Sequence, residues 1–109
     1  MTGLKQVKFR GDSLSALKRF PESARREAGH QLDFVQRGEE PEDWKPMNSV
    51  GAGVRVRDES GIFRVLYVTK FDDLIYVLHC FHKKTEKTSA SDIDLARHRY
   101  KELLRGRTR

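Results

Sequence analysis

The spacing of apolar side chains divides the chain into a helical beginning, a strand-rich middle and a helical end. Val7 and Phe9 alternate with Lys8 and Arg10, the period of two that marks a short edge strand. Gly11-Asp12-Ser13 supplies a turn and a helix N-cap, after which Leu14, Leu17 and Phe20 share one side of a short helix. Pro21 stops that helix and suits the start of another, in which Ala24, Ala28, Leu32 and Val35 recur at helical spacing up to Gln36. Gly38 is the expected C-cap. Residues 38–50 hold two prolines, four acids and Trp44, and predict a long surface loop that Trp44 pins to the body.

Val54 and Val56 alternate with Arg55 and Arg57, and Asp58-Glu59-Ser60-Gly61 reads as a hairpin turn. Ile62 to Phe71 is rich in β-branched and aromatic residues, and Asp72-Asp73 predicts a second turn. Leu74 to His82 is almost wholly apolar, as expected of a central strand covered on both faces. Ser89 and Asp92 approximate a capping box, and a helix follows to about Arg105 with Ile93, Ala96, Tyr100 and Leu103/Leu104 as its apolar stripe. The predicted order is β-α-α-β-β-β-α: an α+β fold in a single domain over residues 1–109, with an antiparallel meander at its centre.

Composition narrows the setting. The longest apolar stretch, Leu74 to Phe81, is far short of the roughly 20 residues a membrane helix needs, and it contains His79. Met1 to Arg10 has no apolar block of the signal-peptide kind. Cys80 is the only cysteine, which excludes an internal disulfide and a cysteine-based zinc site. A cytoplasmic location is expected. The net charge of +6 is unevenly placed, with nine Lys/Arg against eight Asp/Glu in residues 1–50 and thirteen against eight in 51–109. Such a basic half suits a polyanion, an acidic protein partner, or simple solubility.

Most familiar chemistries are missing. Gly51-Ala-Gly53 is too brief for a phosphate loop and precedes a strand. His79 and His82 point to opposite faces of a strand, which argues against a shared metal. Cys80 sits within an apolar strand and reads as buried and structural. No metal or cofactor is expected. What remains is a concentration of cations. Arg55 and Arg57 share a strand face, and Arg64 lies in the apolar run Phe63-Arg64-Val65-Leu66-Tyr67-Val68. Either Arg64 is satisfied within the fold, by an ion pair with Asp58, Glu59 or a helix acid or by a place near a sheet edge, or its planar fork opens onto a cleft and binds phosphate. The last strand then runs into the basic segment Phe81-His82-Lys83-Lys84-Thr85-Glu86-Lys87-Thr88.

Residues 55–68, residues 77–88 and the helix from Asp92 to Tyr100 together resemble the HigB-like, phage-derived branch of the RelE/ParE toxin superfamily. The resemblance rests on Arg-x-x-Tyr in the penultimate strand and Phe-x-Lys-Lys-Thr after the last, with Trp44-Lys45-Pro46 as an added similarity. It implies a RelE-like fold, a twisted antiparallel sheet with two N-terminal helices and a C-terminal one. It also implies the toxin of a type II toxin–antitoxin system, a metal-independent mRNA endonuclease acting on the ribosome. A cognate antitoxin with a helix-turn-helix domain, encoded by the adjacent gene, would hold it inactive. The alternatives are a ParE-like inhibitor of gyrase and an inactive binding relic. On this resemblance Arg64 faces the scissile phosphate, Arg55 and Arg57 lie on the basic preceding strand, and Lys84 ends the last strand beside Lys83. Lys87 extends the RNA-binding run. The catalytic candidates are Arg64, Lys84 and His82, since His82, with an unperturbed pKa near 6.5, needs the least tuning to accept a proton. His82 reads equally as an exposed residue at a strand end.

Overall fold

A computed structural model describes residues 4–47, 51–71, 74–84 and 89–107. The elements are β1 (Gln6–Phe9), α1 (Ser13–Lys18), α2 (Glu22–Gln36), β2 (Trp44–Pro46), β3 (Ala52–Asp58), β4 (Gly61–Val68), β5 (Leu74–Lys83) and α3 (Ala90–Arg107). Pro21, with φ −52° and ψ 152°, separates α1 from α2. Gly38, at φ 80°, ends α2 in a Schellman turn: its N–H donates to Val35 O, and the Glu39 N–H donates to Phe34 O. Ser89 caps α3 as its spacing predicted, its hydroxyl accepting the Asp92 N–H at 3.2 Å and donating to the Asp92 carboxylate at 2.6 Å.

The five strands form one sheet in the order β1-β5-β4-β3-β2. β3, β4 and β5 are antiparallel neighbours, as the meander predicted; β2 adds antiparallel to β3, and β1 runs parallel to β5. The reason is topological. β1 and β5 are separated in the chain by α1, α2 and three strands, so no tight turn forces them to run in opposite directions. The expected turn at Asp72-Asp73 lies outside the described residues.

Each sheet face carries its own core. Leu17, Phe20, Ala24, Ala28, Leu32 and Val35 of the N-terminal helices pack on Val54, Val56, Phe63, Val65, Val77 and Cys80. On the other face Ala96 and Leu103 of α3 meet Leu66, Val68, Tyr76 and Leu78. Truncating a buried leucine of this kind to alanine typically costs about 2–5 kcal/mol.

Four details correct the sequence reading. Residues 44–46, expected within a loop, form β2, where Pro46 sits on an edge strand that tolerates its missing N–H. Leu14 is exposed, and Ser13 takes the inward position on α1, its hydroxyl donating to Val77 O at 3.2 Å. Asp12 holds the N-cap position of α1 without a side-chain cap bond, and gives its carboxylate to Arg99 of α3 at 2.8 Å. Finally, the β4–β5 register shifts at Leu66/Tyr67: Leu66 opposes His79 and Tyr67 opposes Val77, leaving Leu78 as an inserted residue.

Candidate functional site

Strand pairing fixes which cations share a face. Arg55 lies directly across from Arg64, Arg64 from Phe81, and Ile62 from both Arg57 and Lys83. Residues directly opposite point the same way. Arg55, Arg57, Arg64, Phe81 and Lys83 therefore lie on the α3 side of the sheet, near the end of β5. Lys84 is the next residue along the chain and is exposed.

Arg64 is the centre of this face. It is only 2% exposed. Its Nη2 lies 3.5 Å from the Met47 thioether, a weak acceptor, and its Nε is buried with no hydrogen-bond partner among the described residues. Of the two readings open in the sequence, pairing with an acid or an open cleft, the geometry shows neither. No acid bonds the guanidinium among the described residues, and the side chain is covered. Burial lowers its pKa first, the Arg55 charge lowers it further, and Asp43 offsets part of the effect. An arginine remains charged under such conditions. Gly53 makes the space. A Cβ there would lie 2.6 Å from Arg64 Nη2 and 2.9 Å from Leu66 Cδ2. The glycine set aside as a phosphate loop is thus the floor beneath the buried arginine.

Arg55 is engaged. Its Nε and Nη2 donate to the two carboxylate oxygens of Asp43 at 3.0 and 3.3 Å. Arg57 is exposed at the outer end of β3. His82 lies on the opposite face, stacked on Phe63 at 4.5 Å with 19° between the rings. The structure therefore does not bring His82 to Arg64: the catalytic set read from sequence divides between the two sides of the sheet. Lys87 lies outside the described residues.

One pair on the arginine face escaped the sequence reading. His79 Nε2 and Asp92 Oδ1 are 2.7 Å apart; the carboxylate accepts, so Nε2 carries the proton. The His79 ring stacks on Phe81 at 4.8 Å, and its Nδ1 is buried without a partner among the described residues. Arg64 Nε and His79 Nδ1 are the two such side-chain atoms there, and they flank Phe81 on one face. The capping signal at Ser89 and Asp92 was legible, whereas the partner thirteen residues upstream was not.

An arrangement of this kind suits an anion. Two guanidiniums on adjacent strands, one covered and the other held by Asp43, carry charge-assisted donors whose forks would match a phosphodiester once they are freed. Among the described residues no three His, Cys, Asp or Glu side chains gather where a metal ion would be held.

The profile of the phage-derived Gp49-like proteins matches residues 15–101. Among solved structures, the chain is similar to an arginine-to-alanine double mutant of the Escherichia coli toxin RelE in the free state. The TM-score is 0.60 at 11% identity, with 84% of this chain and 97% of that chain covered. At that identity the likeness is one of fold. No curated protein matches the sequence.

Proposed function

Because the chain belongs to the phage-derived Gp49-like family and carries a RelE-like fold, we propose that it is the toxin of a type II toxin–antitoxin pair and cuts messenger RNA on the ribosome. The observation that carries this reading is Arg64, a buried guanidinium with no anionic partner among the described residues. Burying such a charge is unfavourable, and a protein retains it where the missing partner arrives as substrate.

Cleavage through the 2′-hydroxyl needs a cation for the crowded phosphate, a group that accepts the hydroxyl proton and one that protonates the departing 5′-oxygen. Arg64 and Arg55 hold the scissile phosphate from adjacent strands. Arg57 and Lys83 steer the flanking backbone. Lys84, the first residue past β5, donates a proton to the departing 5′-oxygen, and the 2′-hydroxyl proton passes to water. His82, across the sheet from Arg64, has no role in this scheme. The antitoxin is a helix-turn-helix protein encoded by the adjacent gene, and it answers the surplus positive charge with acidic residues.

Expression in growing cells followed by mapping of transcript ends tests the reading. New ends within translated messages support it. Intact messages accompanied by DNA damage would instead assign the protein to the gyrase-poisoning kind of toxin.

A further inference from the structure

Asp43 and Met47 bracket the three residues of β2, and each holds one arginine of the site. Asp43, just before the strand, grips Arg55 through both carboxylate oxygens, and its own carbonyl accepts the Arg55 N–H at 2.8 Å. Met47, just after the strand, lays its thioether against Arg64, and its N–H donates to Gly51 O at 2.7 Å. Arg55 and Arg64 need such holding. They are direct cross-strand partners, about 4.5–5.5 Å apart at Cβ, where like charges repel. β2 lies at the sheet edge and pairs with β3 alone.

We infer that β2 with Asp43 and Met47 is a positioning strap for the arginine pair: Asp43 aims Arg55, and Met47 covers Arg64 until a phosphodiester engages both guanidiniums. The inference rests on the RNA-cleaving reading of the site and adds two positioning residues that touch the arginines rather than the reacting atoms. Its physical consequence is a split between binding and rate. The Asp43 carboxylate repels the incoming phosphate and competes with it for Arg55, yet it is also what fixes the Arg55 fork. Removing that charge relieves the competition and loosens the fork. A purely structural Asp43 predicts no such split, since its loss weakens binding and rate together.

The test uses the full chain and Asp43→Asn, which keeps the shape and the backbone acceptor. Binding of a short fluorescein-labelled single-stranded RNA is read by anisotropy, and cleavage is read on ribosomes carrying a defined message. Asp43→Asn is expected to bind the RNA roughly three- to tenfold tighter at low salt, with the gain shrinking as salt rises, and to cut more slowly at saturation. Equal or weaker binding by Asp43→Asn, while Arg64→Ala loses binding, overturns the strap and leaves the arginine site standing. A variant that is both tighter and faster overturns the positioning role. If the parent binds no RNA, both readings fall together. The Met47 half is read from the rate of phenylglyoxal adduct formation at Arg64 by mass spectrometry. Met47→Ala is expected to raise that rate and Met47→Leu to restore protection, whereas an unchanged rate in Met47→Ala overturns the cover.

Discussion

A guanidinium that is 2% exposed and lacks an acid among the described residues lowers the stability of the fold around it. Replacing Arg64 with methionine keeps the length, fills the slot above Gly53 and removes the unpaired charge. Stability should rise by about 1–3 kcal/mol, the usual penalty of an unsatisfied buried polar group. Activity should fall by roughly 10²–10³ at the same time. A chemical-denaturation midpoint that falls in Arg64→Met would show that the arginine is structural. Cys80 makes the opposite case at this scale. Burial pushes its thiol up to about 12, so at neutral pH it stays protonated and inert. Native protein should leave a disulfide-exchange reagent unreacted, and unfolded protein should consume one equivalent. Rapid reaction of the native chain would place Cys80 at the surface.

Among the elements, β3, β4 and β5 were legible because alternation and β-branched runs report a strand whatever surrounds it. β2 was not, since three residues including a proline carry no period and are made a strand only by pairing with β3. The parallel β1 and the inserted Leu78 were hidden for the same reason: both are set by partners distant in sequence. The site divides along this line. Arg64 stood out as a charge among apolar neighbours, while Asp43, Met47 and Asp92 contribute through contacts that sequence spacing does not reveal. The tie between α1 and α3 is another such contact. Arg99 donates to Asp12 at 2.8 Å and to Leu78 O at 2.8 Å, joining both helices to β5. The Arg99 hydrogen bond holds the Asp12 carboxyl below its ordinary 3.8. A depressed folded-state pKa contributes stability above the unfolded value and loses it as pH falls through the folded one. Asp12→Asn should therefore lower stability at neutral pH and flatten its loss on acidification below about pH 4, as read by thermal melts across the acid range. A parallel acid profile in the variant would detach Asp12 from this coupling.

Across the whole molecule, the second half of the chain carries most of the +6 charge, with Arg55, Arg57 and Lys83 on the arginine face. A partner that covers this face must answer that charge, and opposite charges steer encounter over a Debye length of about 8–10 Å. Association with the proposed antitoxin should slow as salt rises from low to high concentration, while dissociation changes less. A salt-independent association rate would mean that the partner docks elsewhere. The central expectation is that the buried arginine receives an RNA phosphate. Purified protein incubated with ribosomes paused on a defined message tests this in one gel. The account predicts a discrete cut in the message with the parent chain and an intact message with the better-folded Arg64→Met, a loss of roughly 10²–10³ in rate for one preorganised charge contact. An uncut message with the folded parent, or equal cutting by Arg64→Met, would contradict it.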